Sequence, residues 1–120
     1  MNDVITSIKA VSEEIRIRIL LLLMDREACV CELMSVFGMA QSKLSHHLIT
    51  LRDAGLLQDE KRGKWNYYRA TTKALNPLNR EIIVSLSRWL IDDETIARDR
   101  RSLLKSKRCV PAGSRVKVCN

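Results

Sequence analysis

Long apolar stretches are missing from this chain. The longest, Ile19 to Met24, falls far short of the roughly 20 residues that span a bilayer. Asp3, Glu13 and Glu14 break up the N-terminal region. Neither a signal peptide nor a membrane helix is expected, and the reading is a cytoplasmic protein without a membrane partner. Internal repeats are absent. Histidine occurs only as the neighbours His46 and His47, and residues 77–105 contain none. No strand–helix–strand pattern surrounds the close cysteines Cys29 and Cys31, and no general base stands near them, which argues against a dithiol enzyme. Acidic residues are outnumbered: 14 Asp and Glu against 21 Lys and Arg give a net charge of +7. Such an excess favours polyanions, nucleic acid before an anionic membrane surface.

What is present suits one domain. A chain of 120 residues builds a modest core, which a homodimer would enlarge. Residues 1–105 are expected to form a DNA-binding and dimerisation domain. Residues 106–120 carry Pro111, Gly113, several cations, Cys109 and Cys119, and read as a basic, flexible tail. Four cysteines in a reducing compartment are expected as thiols, so metal binding or thiol chemistry outranks a disulfide framework.

Apolar spacing gives the elements. Ile8, Val11, Ile15, Ile19 and Leu22 follow a helical period across residues 4–24. Ser12, followed by Glu13 and Glu14, reads as the N-cap of a longer helix after a short one. Arg16 and Arg18 read as solvent-facing, and the Leu20–Met24 run as buried on all sides. Leu33, Met34 and Phe37 continue with helical spacing to Gly38 at a C′ position. A second helix over Gln41–Ala54 has Leu44, Leu48 and Leu51 as its inner stripe and Gly55 as its stop. Helix, short glycine turn, helix is the helix-turn-helix pattern. Two short runs flank Arg62-Gly63 and read as a β-hairpin whose tip carries Lys61, Arg62 and Lys64, a wing. Asn76-Pro77 opens a further helix. Its stripe of Leu78, Ile82, Leu86 and Trp89 is expected at a dimer seam. Residues 92–105 extend or restart it. The fold class is mostly α with a small β-hairpin (α+β): a winged helix-turn-helix, dimeric through its terminal helices.

On the second helix of the motif, Gln41, Ser42, Ser45 and His46 are expected to meet base edges in the major groove. Lys43, His47 and Arg52 are placed for phosphates, and Lys61, Arg62 and Lys64 for phosphate or minor-groove contacts. Double-stranded DNA is the expected partner. His46 and His47 do not form a joint metal site, because adjacent helix residues do not face each other.

Cys29-Val30-Cys31-Glu32-Leu33 opens the first helix of the motif. Thiolates suit a soft, thiophilic metal or metalloid. At i and i+2 of a regular helix the two side chains point about 200° apart. Capture of one atom by both is therefore expected to distort or unwind this turn.

These residues resemble the ArsR/SmtB family of bacterial metal-sensing repressors. Ile8-Lys9-Ala10-Val11-Ser12 and Ile15-Arg16-Ile17-Arg18-Ile19-Leu20 are similar to its opening. Cys29-Val30-Cys31-Glu32-Leu33 is similar to its arsenic-sensing motif, and Gln41-Ser42-Lys43-Leu44-Ser45-His46-His47-Leu48 to its recognition helix. Gly63-Lys64-Trp65 and Tyr68-Arg69 are similar to its wing. The resemblance covers roughly residues 5–90. It implies a homodimeric winged-helix repressor of an arsenic resistance operon. Such a protein binds an inverted-repeat operator and releases it when trivalent arsenic (arsenite, methylarsenite or antimonite as its analogue) binds the cysteines. Three departures stand out. Met34 occupies the place of a third cysteine. Ala40 sits where a capping Ser is common. Cys109 and Cys119 lie outside the pattern. Either tail cysteine, from the same or the partner subunit, completes the site for arsenite, or a retained hydroxide does, or the effector is an organoarsenical with two exchangeable positions. The family's zinc site on the terminal helix needs His, so zinc is not expected.

Alternatives remain open at this point. The pair reads also as a thiol-redox sensor, or as a cadmium-type sensor on the same fold. A sequence-independent architectural DNA binder is a further rival.

Overall fold

The computed structural model describes residues 1–72 and 76–106. Within them run α1 (Asn2–Ala10), α2 (Glu14–Asp25), β1 (Ala28–Cys29), α3 (Val30–Phe37), α4 (Gln41–Asp53), β2 (Leu57–Arg62), β3 (Trp65–Ala70), α5 (Pro77–Trp89) and α6 (Glu94–Lys105). The core gathers around α2. Ile19, Leu20, Leu22 and Leu23 meet Leu33 of α3 and Leu44, Leu48 and Leu51 of α4, all fully or almost fully buried. The mostly-α architecture with a hairpin is therefore the one observed. The sheet has one strand more than the hairpin: β1 pairs antiparallel with β3, giving the order β1-β3-β2. Arg62 pairs with Trp65 across the hairpin, leaving Gly63-Lys64 as the loop. Gly63 has φ +62°, as a two-residue hairpin loop requires.

The short helix followed by a longer one is present as expected, but its cap and its exposed residues differ from the sequence expectation. Apolar spacing runs on across a real break between α1 and α2. Ser12 does not cap α2: its hydroxyl donates back to the Lys9 carbonyl at 2.8 Å, and Glu13 takes the N-cap position with its carboxylate turned to Arg16 rather than to the helix N–H groups. Ile8 is half exposed on α1, whose buried residues are Ser7 and Ala10. Arg16 and Arg18 do not face solvent freely. Arg16 is buried against Lys9 and His47. Arg18 makes a two-pronged pair with the buried carboxylate of Asp99, at 2.9 and 2.8 Å, and lies 5.2 Å from the centre of the Phe37 ring. Arg18 is covered by α6, which restarts at an Asp93 cap and folds back over α2 and α3 with Ile96 and Leu103 inward.

Helix α5 begins as expected, with the Asn76 side chain accepting from the Asn79 N–H at 2.7 Å and Pro77 in the first turn. Its inward row is Asn79, Ile83 and Leu86. Leu86, expected at a dimer seam, thus packs on the chain's own core. Leu78 and Ile82 are half-buried, and Trp89 is 82% exposed. Asn79 decides which face turns in. Ser7 of α1 donates to its Oδ1 at 2.7 Å, and its Nδ2 donates to the Ala54 carbonyl at the end of α4 at 2.9 Å. A Cβ at Gly55 would come within 3.2 Å of that nitrogen, and Gly55 has φ +83°.

Helix α3 stops at Gly38 in the left-handed region, φ +59°, and α4 starts two residues later from Ala40, which makes no side-chain cap. Replacing it with a hydroxyl-bearing residue supplies an acceptor for an unmet N–H of the first turn. Ala40→Ser is expected to stabilise the protein by about 1 kcal/mol, read as a higher urea midpoint with an unchanged slope.

Candidate metalloid site and DNA-facing surface

The thiol pair straddles the boundary between a strand and a helix. Cys29 ends β1, opposite Tyr67 in the ladder, and is the N-cap of α3 with extended backbone, φ −85° and ψ 162°. Cys31 lies in the first turn of α3. The two side chains therefore converge without any loss of helix. The expectation that this turn must unwind is corrected: Cys29 stands outside the helix already. The sulfurs are joined as a disulfide with Cα atoms 5.4 Å apart, which also departs from the expectation of thiols for this pair. Both residues are buried, against Tyr67 and Trp65 of the wing.

Glu32 holds this junction. Its carboxylate is almost fully buried. One oxygen accepts from the Cys29 N–H at 3.0 Å, and the other pairs with Arg26. The Cys29 sulfur accepts in return from the Glu32 N–H, completing a capping box in which sulfur stands for the usual hydroxyl. Nothing in the apolar pattern of the sequence singles out Glu32. The spacing Cys29-x-x-Glu32 carries the signal, once sulfur is counted among capping groups. Glu32→Ala leaves the Cys29 N–H and Arg26 without their acceptor. It is expected to destabilise the protein by about 2 kcal/mol, measured by urea unfolding under reducing conditions.

Among the described residues, no group of three or more His, Cys, Asp or Glu is placed to hold a metal ion. Met34 lies one turn after Cys31. Cys109 and Cys119, and the tail as a whole beyond residue 106, lie outside the described residues.

Helix α4 presents Gln41, Ser42, Lys43 and His46 to solvent, with Ser45 half-buried. Ile49, which the apolar stripe does not require, is 40% exposed on the same helix. An apolar residue off the inner stripe was the sequence signal for it. His47 departs from expectation. It is 6% exposed, and its Nδ1 accepts from Arg16 Nε at 3.1 Å, so it serves packing between α2 and α4 rather than facing a phosphate. Arg52 reaches Asp53 and Asp59, both at 3.3 Å. On the wing, Lys61 and Lys64 are exposed. Arg62 is tied to Glu27 and Glu60 at 2.6 and 2.9 Å and stacks 4.5 Å from the centre of the Tyr67 ring. Its hydrogen bonds to Glu27 and Glu60 raise its pKa further above the usual arginine value.

Burial first, and the charge of Arg16 second, hold His47 below its ordinary value of 6.5; Glu13 opposes this, while His46 and Lys43 add to it. The unfolded chain therefore takes up this proton before the folded one does. The contribution is fully present above about pH 6.5 and is lost as the pH falls toward the lower folded value. His47→Gln is expected to flatten the pH dependence of stability below pH 6.5, as measured by urea midpoints between about pH 5 and 8.

A helix-turn-helix with an adjoining basic wing is the architecture of a DNA-binding regulator. Residues 13–59 match the family described as bacterial regulatory protein, arsR family. The arsenic resistance transcriptional regulator ArsR2 of Pseudomonas putida is 39% identical over 89 residues, 71% of this chain and 77% of that protein. The arsenical resistance operon repressor of Bacillus subtilis is 38% identical over 81 residues, 67% of this chain and 77% of that protein. Among solved structures, reduced HlyU from Vibrio cholerae superposes with a TM-score of 0.61 at 32% identity, covering 73% of this chain and 88% of that one. The chain belongs to the arsR family of bacterial regulatory proteins, and its fold is a winged helix-turn-helix of the repressor type. No helix among the described residues is long and apolar enough to cross a membrane.

Proposed function

We propose that this repressor of the arsenic-resistance type senses trivalent arsenic through the thiolates of Cys29 and Cys31, and leaves its operator when they are occupied. The observation that carries this reading is the convergence of two sulfurs at the start of the first helix of the DNA-binding motif. A cellular thiol reduces the pair, itself becoming a disulfide. Each As–OH group then exchanges with one S–H, releasing water and forming an As–S bond with no change of oxidation state. For arsenite, Cys109 or Cys119 of the tail, from the same or the partner subunit, supplies a third sulfur.

Occupation acts on two elements together. Arsenic bonded to the Cys29 sulfur competes with the Glu32 N–H that this sulfur now accepts from. It also loads the short strand paired to the wing. Movement at α3 reaches α4 through the Gly38–Ala40 turn. A homodimer binds an inverted repeat, with its two α4 helices spaced about 34 Å apart in successive major grooves. Val4, Ile5 and Ile8 of α1 and Val84 and Trp89 of α5, all exposed apolar residues, form the dimer face, on helices joined by the Ser7–Asn79 bond. Gln41, Ser42, Ser45 and His46 read base edges, Ile49 offers apolar contact to a thymine methyl, and Lys43, Arg52, Lys61 and Lys64 meet phosphates. Arg62 joins them by exchanging a carboxylate for a phosphate. Moving the population from nearly all bound to nearly all released needs about 5.5 kcal/mol of differential binding.

A second reading, redox sensing by the same pair, draws on the disulfide itself. One measurement separates the two: anisotropy of a labelled duplex from the gene's own upstream region, titrated with arsenite, antimonite, cadmium and zinc under reducing conditions. Arsenite is expected to release the DNA, with the response lost in Cys29→Ser and in Cys31→Ser. It is expected to be weakened by Cys109→Ser combined with Cys119→Ser; no change in that double variant eliminates a tail ligand. Tight specific binding that ignores every metalloid but is lost on oxidation puts redox sensing in its place.

A further inference from the structure

The charge of this chain is unevenly placed. Of its 21 Lys and Arg, eight lie in residues 98–120, and of its 14 Asp and Glu only Asp99 lies there. Residues 1–97, which include the whole helix-turn-helix and the wing, hold thirteen of each sign. The net charge of +7 therefore belongs entirely to the later turns of α6 and the residues after them. Within the motif and wing, two arginines are already committed: Arg52 to Asp53 and Asp59, and Arg62 to Glu27 and Glu60.

Helix α6 turns its charges outward. Ile96, Asp99 and Leu103 form its buried row, and Asp99 is the carboxylate taken by Arg18. Arg98, Arg101 and Lys105, at i, i+3 and i+7, share an exposed face. Arg101 reaches Glu94 at 3.6 Å on the surface, a pair that holds it weakly. The place of α6 gives this row a direction. It lies against α3, the first helix of the motif, and the first helix of a helix-turn-helix crosses the phosphate backbone. Its later turns share a cavity with Arg26, and the next residue, Glu27, holds Arg62 of the wing. The cationic row thus follows the wing side of the motif.

We infer that the outer row of α6 is a second DNA contact, one that grips the phosphate backbone of the duplex flanking the operator without reading its sequence. This rests on the reading of α4 as the element that recognises the operator, and extends the footprint outward from it. Twelve residues of helix are about 18 Å long, the length of about five phosphate steps along one strand at roughly 3.4 Å each. Arg98, Arg101 and Lys105 are spread over that length as point contacts to successive phosphates. Lys107, Arg108, Arg115 and Lys117 continue the same sign in the sequence beyond it. Each phosphate neutralised releases counterions, which strengthens binding and makes it steeper in salt. The labour is divided: a reading head embedded in a neutral body discriminates between sequences, and α6 holds the protein on the duplex beside it.

The test uses the full chain under reducing conditions and two labelled duplexes from the gene's own upstream region. One ends at the outer edges of the inverted repeat, and the other continues about one helical turn beyond each edge. Three proteins are compared: the wild type, a triple variant Arg98→Gln, Arg101→Gln and Lys105→Gln, and a double variant Arg98→Lys and Arg101→Lys. The wild type is expected to bind the longer duplex about tenfold or more tightly at about 0.1 M salt, with a steeper salt dependence than on the shorter one. The triple variant should lose that gain while binding the shorter duplex within about threefold of wild type. Its salt slope on the longer duplex should fall by about 0.9 for each phosphate contact removed. The lysine variant should keep the gain, and a scrambled flank should leave it unchanged. Equal affinity and slope of the wild type on the two duplexes, or a gain that survives the triple substitution, overturns the flanking contact while leaving operator recognition by α4 intact. A gain that is lost in the triple variant, from a protein that does not distinguish the inverted repeat from unrelated DNA, upholds the α6 contact and overturns operator recognition instead.

Discussion

The buried carboxylate of Glu32 is the constraint on which the cysteine-bearing end of the molecule depends. A charge at such a position is tolerated only when its oxygens are matched, and here they are matched by Arg26 and the Cys29 N–H. Those two bonds settle where β1 ends and α3 begins. Because Cys29 lies opposite Tyr67, they also set the third strand of the wing sheet. The thiol pair, the start of α3 and the base of the wing are one unit as a result. A sulfur cannot leave its place without disturbing both a helix cap and a strand ladder.

Much of the fold was legible because its signals are local. Gly38 and Gly63 stop or turn the chain in the left-handed region, and Asn76-Pro77 starts α5 by the bond its spacing implies. The missed parts depend on partners far away in sequence. Arg18 and Asp99 are separated by 81 positions and Arg16 and His47 by 31, so a charged residue on α2 reads as solvent-facing until the covering element is known. Ile96 and Leu103 keep a helical period on α6, but that period does not say which helix they cover. The break between α1 and α2 was legible from Ser12-Glu13-Glu14, but not that Glu13 rather than Ser12 stands at the N-cap. A strand as short as Ala28–Cys29 exists only through its pairing with β3.

At the site, the position of the cysteines was readable and their backbone was not. Placing both on one regular helix made their side chains diverge, whereas the extended conformation of Cys29 brings them together. The recognition face was read from the residues left over by Leu44, Leu48 and Leu51. His47 went astray for a reason visible in its number. It stands three positions after Leu44 and four before Leu51, on the inner row, where a polar residue needs a buried partner. Arg16 is that partner.

Asn79 ties together three pieces of chain that are distant in sequence. It accepts from α1, donates to the last turn of α4, and sits in the first turn of α5. Its amide is spent on these bonds in a place closed to solvent. The two helices that carry the exposed apolar residues are therefore fastened to the end of α4 through a single side chain. One amide acts as the rivet of three helices, and it stands apart from the sulfurs.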